Sequence, residues 1–309
     1  MRLWPPFKKN TGNLVPKKLA LSSAVEGSIL RALGNSAIPS MPASAQKAFQ
    51  VASNPTAELR DFVEVIAGDE SLSARILKIA NSVYFHRGHD TETIEDSVNV
   101  IGINEIRGLL SASSLAEIFP SRHPARNHLW CHDLAVASAC KVLATEILPG
   151  QEESLFLHGL MHDVGKLLLL QRVPDDYAQI LKSVQGGKSF QQAEEELFPF
   201  DHTEVGHLIA EKWRFGKELT RSIRYHHIGW EELSLDSAEN KLVKIVKGAD
   251  IFAHAAGVVD WQVLTNIKAS ANEELALAIE YLGLESSKKR EYLAKISRQF
   301  QTDYELYHV

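Results

Sequence analysis

The stretch LHGLMHDVGKLLLL, residues 157–170, sets His162 and Asp163 side by side among leucines. Ionisable groups in such a place must be paired, hydrogen-bonded or bound to a metal, because an isolated buried charge is expensive. Asp250 lies four residues after Val246 and three before Ala253, on the apolar stripe of its own segment. His132 stands in the same relation to Ala135, Val136 and Ala139, and His202 to Val205, Gly206 and Ile209. His226 and His227 close a segment that carries Leu219 and Ile223. Five helical segments thus offer imidazole or carboxylate groups in an inward or near-inward direction, while Cys131 and Cys140 supply no thiolate at a useful spacing. Imidazole with carboxylate suits one or two divalent ions, whether iron, manganese, zinc or magnesium, and an aspartate can bridge two. Neighbours on a helix diverge by about 100°, so His162-Asp163 and His226-His227 need a helix end or a kink to meet at one ion. The other histidines, at 86, 89, 123, 128, 158, 207, 254 and 308, read as ordinary hydrogen-bonded or surface residues.

The elements that must position these groups are helical. Leu59, Phe62, Val63 and Ile66 make one stripe, Gly68 ends it, and Leu72, Ile76, Ile79 and Ala80 make the next. The same spacing recurs at Val136, Cys140, Leu143 and Ile147, at Val205, Leu208, Ile209 and Trp213, and at Leu242, Ile245, Val246, Ala249 and Ala253. Sustained alternation of strand type and Asn-Gly or Asp-Gly turns are missing, so the fold is all-α. Proline and glycine punctuation, densest in FPSRHPARN at 119–127, predicts a helical N-terminal lobe to about residue 120 and a second lobe to about 256. Residues 257–309 read as further amphipathic helices that pack on their own core, and residues 1–37 as a flexible basic tail with a leading helix.

Composition excludes several classes. A chain of 309 residues with 45% hydrophobic and 23% charged content is ordinary for a soluble protein of one large or two small domains. Its net charge of −6 provides no chain-wide basic field, so neither nucleic acid nor an anionic membrane is an expected partner. Two cysteines are too few for a disulfide scaffold, and a His-rich, Cys-poor chain suits the reducing cytoplasm. The basic run MRLWPPFKKNTGNLVPKKLA lacks the continuous apolar region of a signal peptide, and no stretch is long enough to span a membrane.

The order H…HD…H…HH…D resembles the HD superfamily of metal-dependent phosphohydrolases, with His132, His162-Asp163, His202, His226-His227 and Asp250 on its successive ligand positions. A closer resemblance lies in IPSMPASAQKAF, DESLSARILKIANSVYF, SVNVIGINEIRGLL, LWCHDLAVASA, GLMHDVGKLLL, DHTEVGHLIAEKW and IRYHHIGW. Together these blocks look like the HDOD family, the HD-related output domains of bacterial signalling proteins. The resemblance implies a two-lobed helical HDOD domain over 38–256, divided into 38–120 and an HD-like lobe over 121–256. It implies a regulatory output module with a His/Asp metal site and a signalling protein as partner. No receiver or GGDEF domain fits in the remaining chain, so input is expected from a separate protein or from the short terminal segments.

The alternative is a metal-dependent phosphohydrolase acting on a nucleotide or other phosphoester. There a bound ion activates water beside Asp163, and Lys166, placed as in the His-Asp-x-Gly-Lys form of active relatives, meets a substrate phosphate as a point charge. The plainer reading of Lys166 is a solvated lysine just past a helix end. His226-His227 is followed by IGWEELSL, without the acidic residue and Gly-Tyr-Pro segment of the HD-GYP phosphodiesterases, which disfavours cyclic di-GMP as substrate.

Overall fold

The computed structural model describes residues 21–34, 38–54, 56–86, 88, 90–233, 238–258 and 268–307, and among these every regular element is a helix. The basic run of residues 1–20, Pro55, His89 and His308 lie outside the described residues. A leading helix α1 (Ser23–Leu33) precedes α2 (Ala43–Ser53), α3 (Leu59–Ala67), α4 (Glu70–Ala80), α5 (Ile94–Ile101) and α6 (Ile103–Ile118) of the N-terminal lobe. The HD-type lobe comprises α7 (Ala125–Ile147), α8 (Glu152–Met161), α9 (Val164–Arg172), α10 (Pro174–Gln185), α11 (Phe190–Glu195), α12 (His202–Lys212), α13 (Lys217–Tyr225) and α14 (Ala238–Ala256). Two more α-helices follow, α15 (Lys268–Tyr281) and α16 (Lys289–Tyr307). No described helix is long and apolar enough to cross a membrane.

Local signals explain the boundaries. The Asp69 side chain accepts from Leu72 N and starts α4, while Thr93 accepts from Asp96 N and starts α5. At the end of α4 the Asn81 side chain both donates to Thr91 O (3.0 Å) and accepts from Thr91 N (2.7 Å), tying the following loop to the start of α5. Residues 119–124, the first part of the proline-rich segment, lie between α6 and α7, and its last three residues open α7.

Helix α7 is the axis of the HD-type lobe. Leu134, Ala135, Val136, Ala137, Ala139 and Cys140 are fully buried because α8, α14 and α16 pack around it. Its small side chains allow close approach. A Cβ on Gly159 of α8 would lie 2.7 Å from Ala137 Cα, so this crossing tolerates only glycine. The crossing of α9 and α12 is tighter still, since a Cβ on Gly165 would lie 1.9 Å from the His202 carbonyl oxygen. The N-terminal lobe joins this assembly through α6, which packs on α8 and α16, and the buried apolar side chains of both lobes belong to one continuous cluster. Helix α16 seals the far side with Tyr292, Ile296 and Leu306, and it buries Asp303 against the Ser138 hydroxyl of α7, which donates to Asp303 Oδ2 at 2.6 Å.

Two predictions follow from this packing. Gly165→Ala forces α9 and α12 apart against backbone rather than a flexible side chain, so it should destabilise the protein by about 3 kcal/mol, the upper end for overpacking, in chemical unfolding. An unchanged midpoint would contradict the close crossing. Burial pushes the Asp303 carboxyl up to about 6 against the opposing effects of Ser138 and Lys141. A group raised in the folded state supports folding while protonated, so this support is complete below 3.8 and is lost as pH rises through about 6. Asp303→Asn keeps a hydrogen bond to Ser138 without a charge, and it should exceed the parent in stability at pH 7 by about 2–3 kcal/mol. The gap should close below pH ~4 by the same linkage; a gap that does not vary with pH would refute the assignment.

Candidate metal centre

The chain break between α8 and α9 solves the problem posed by adjacent ligands. His162 is the residue just after α8 and Asp163 the one just before α9, so both lie in the turn between the helices and their side chains converge instead of diverging along one helix. Asp163 is 1% exposed, and each of its oxygens faces a different set of imidazoles. Oδ2 lies 3.4 Å from Nε2 of both His132 on α7 and His162. Oδ1 lies 3.2 Å from His202 Nε2 at the start of α12 and 3.5 Å from His226 Nε2 just after α13. His132 Nε2 is also 3.5 Å from Asp250 Oδ1 on α14, and His202 Nε2 is 3.1 Å from His227 Nε2.

Two groups emerge that could hold a metal. In one, His132, His162 and Asp250 each offer an atom within 4.8 Å of the others; in the second, Asp163, His202, His226 and His227 do the same. All seven sequence-predicted ligand residues are thus brought together. The fit to a cation is visible in what these atoms lack. His162 Nε2, Asp163 Oδ1, His226 Nε2 and Asp250 Oδ1 are all buried without a hydrogen-bond partner among the described residues. Their ring partners are arranged to leave these atoms facing inward. His162 Nδ1 donates to Gly159 O (2.7 Å), and His226 Nδ1 donates to Ile223 O (3.0 Å).

Electrostatics matches this reading. Burial pushes His132 and His226 down to about 4, so both rings are neutral and carry a lone pair for a cation at neutral pH. Burial, reinforced by His226 and His202, holds His227 well below the usual histidine range. Burial opposes ionisation of Asp163, yet His162, Lys166 and His202 outweigh it and hold the carboxyl well below the usual range. His202 is the exception: Glu194 above all raises it to about 9 against the effect of burial, so without a cation its ring is protonated at neutral pH and must give up that proton to serve as a ligand.

Lys166 is not the solvated lysine of the plainer reading, because its Nζ donates to Asp163 Oδ2 at 2.5 Å and lies 4.2 Å over the Phe190 ring. It is buried at 4% exposure, at the wall of a 440 Å³ cleft that opens onto His132, His226, His227 and Asp250.

Three residues escaped the sequence reading. Glu194 on α11 is fully buried and its Oε2 accepts from His202 Nδ1 (2.6 Å) and His202 N (2.8 Å), which directs His202 Nε2 at Asp163. Nothing in the sequence marks it, because α11 meets α12 only through the tertiary fold. His254, read as ordinary, lies 3.3 Å from Asp250 Oδ1 and stacks on the His132 ring. Its i,i+4 spacing from Asp250 was a usable signal. Asp133 is buried beside His132 with neither oxygen hydrogen-bonded among the described residues, and it forms a third potential ligand group with His162 and Asp163. Its signal was a charge flanked by apolar positions.

Comparison with known proteins agrees with this architecture. A 23% identical protein of Treponema pallidum (strain Nichols), itself uncharacterized, aligns over 62% of this chain and 37% of its own length. The chain spans about a third of the length of the curated relatives it matches. A Shewanella amazonensis SB2B structure, provisionally named a phosphohydrolase, is 25% identical with a TM-score of 0.68, covering 89% of this chain and 97% of that one. A Marinobacter aquaeolei VT8 structure, provisionally named a signal transduction protein, is 20% identical with a TM-score of 0.73, covering 92% of this chain and 64% of that one. The HDOD domain model matches residues 38–228, and with the two-lobed helical fold around the His/Asp cluster this places the chain in the HDOD family.

Proposed function

We propose that this protein is a signal-transduction output module of the HDOD type, whose His/Asp centre takes up one or two divalent ions and thereby sets the arrangement of helices presented to a signalling partner. The observation that carries this reading is the placement of Asp163, whose two oxygens face separate imidazole sets drawn from α7, α8, α12 and the end of α13. One ion would be held by His132, His162 and Asp250, the other by His202, His226 and His227, with Asp163 shared. Nitrogen and oxygen donors without thiolate suit iron, manganese, zinc or magnesium. Ligands from so many helices make the lobe's geometry depend on occupancy. Lys166 supports a module over an enzyme, since its ammonium is already engaged by Asp163 instead of standing ready for a phosphate. The family and the Marinobacter relative's name support a signalling context.

Elemental analysis of protein purified without chelator should therefore find divalent metal, and Asp163→Ala should lose most of it. A bound ion stabilises the fold by mass action, so EDTA should lower the parent's unfolding free energy by about 3 kcal/mol when free metal had stood at a hundred times Kd. The same treatment should leave Asp163→Ala unchanged. Full metal content in that variant would defeat the ligand assignment.

A second reading, metal-dependent hydrolysis of a phosphoester, is favoured by the cleft that reaches His132, His226, His227 and Asp250. A resident ion would supply Lewis-acid activation of water, while Lys166 would leave Asp163 to orient the substrate phosphate. The module reading expects no turnover of bis(p-nitrophenyl) phosphate or of nucleotides above a chelator-treated control. Manganese- or iron-dependent hydrolysis that falls roughly a hundredfold in Lys166→Ala while its metal is retained, and is absent in Asp163→Ala, would establish the enzyme instead.

A further inference from the structure

A second cavity lies between the lobes, on the other side of the α8–α13 contact from the metal centre. It measures about 1040 Å³ and is walled by α2 and α6 of the N-terminal lobe, the ends of α7 and α8, and the turn between α12 and α13. That volume reaches the upper end of the range for small-molecule sites. Trp213, Phe215 and Leu157 give it an apolar surface, with Phe49 packed behind Phe215 at 5.6 Å between ring centroids.

The charges around it are mostly satisfied. Lys141 is held between Glu105 (2.8 Å) and Glu153 (3.1 Å). Arg107 Nη1 donates to the carbonyls of Val51, Ala52 and Asn54 at the end of α2. Arg214 is different. It lines the cavity with no carboxylate in ion-pair range among the described residues, and its backbone sits at φ 58°. That conformation ends α12, where Phe215 N donates to Ala210 O, and glycine is the usual occupant of such a position. The chain therefore keeps a guanidinium at a place where its backbone is disfavoured. Glu218 stands exposed and Glu152 half-buried at the same cavity, which suits a ligand with one acid group and not several.

The floor connects to the metal centre. His158, 4% exposed, lines the cavity and shares a 2.8 Å hydrogen bond between its Nδ1 and the Ser222 hydroxyl. One turn further along each helix are His162 on α8 and His226 after α13, whose rings lie 5.0 Å apart. Ser222 also accepts at its carbonyl from His226 Nδ1 (3.3 Å). The α8–α13 contact thus has one polar pair facing the cavity and the next facing the metal centre.

We propose that the inter-lobe cavity is an effector site for a small organic acid with an apolar, ring-sized body, its acid group held by Arg214, and that its occupancy is coupled to the metal centre through His158 and Ser222. The cavity itself does not depend on the metal reading; the coupling rests on it.

The probe is 8-anilinonaphthalene-1-sulfonate, an aromatic body with one acid group, titrated by fluorescence into the folded, metal-free full chain. The expected result is saturable binding at one site per chain, at least tenfold weaker in Arg214→Gly and absent in Thr145→Trp, which fills the cavity from the exposed face of α7. Arg214→Gly removes the guanidinium and relieves the backbone, so its thermal midpoint should match or exceed the parent's. Parent-like binding in both variants would overturn the site. Saturating probe should shift Mn²⁺ affinity at least threefold, Mn²⁺ should shift probe affinity by the same factor, and Ser222→Ala should erase both shifts while keeping probe affinity within twofold. Equal Mn²⁺ affinity with and without probe would overturn the coupling. A parent that takes up none of Mn²⁺, Fe²⁺, Zn²⁺ or Mg²⁺ would overturn the metal reading and the coupling together, while the cavity would stand or fall on the two variants.

Discussion

The carboxylate of Asp163 is the constraint around which the rest of the molecule is arranged. An ionised aspartate sealed among leucines is viable only where positive or hydrogen-bonding groups replace its lost water. Here the replacements come from many directions: His132, His162, His202 and His226 stand within 3.5 Å of its oxygens, and Lys166 donates directly. Each partner belongs to a different part of the chain, so satisfying one carboxylate requires α7, α8, α9, α12 and α13 to converge.

That convergence is permitted by what the helices leave out. Gly159 lets α8 settle on α7, and Gly165 brings α9 onto the first residue of α12, which is His202 itself. The same backbone contact that closes the core therefore sets the distance from Asp163 to one of its imidazoles. Glu194 then adds orientation, since its carboxylate holds His202 by both ring and main chain. Packing and polar geometry are one construction at this point, and a change in either would be felt in the other.

Lys166 gives the centre its ambiguity. Bonded to Asp163, it neutralises a carboxylate that metal would otherwise claim, and it does so beside a cleft wide enough for a small ligand. A lysine in that place can act as counter-ion or as anion holder, and the choice depends on what else occupies the centre. The HDOD family reading and the enzymatic alternative differ in this one side chain more than in any feature of the fold.

The sequence by itself determined the helical class, because apolar residues at three- and four-residue spacing can bury a stripe only as helices, and it marked the histidines and aspartates that converge, because such a group on an apolar stripe must be compensated. It marked the gap in periodicity at Pro120 and Pro124, which separates α6 from α7. Tertiary structure alone decided which atoms meet. That Asp163 divides its two oxygens between imidazole sets depends on the turn at the α8–α9 junction, which periodicity cannot foresee. That Glu194 orients His202 depends on α11 folding back against α12, and that Lys166 is buried and ion-paired depends on Phe190 closing over it. Spacing along a chain encodes direction around one helix axis; the meeting of side chains from different helices is set by how those axes cross, and here that is governed by glycines whose role becomes visible only when the helices are in contact.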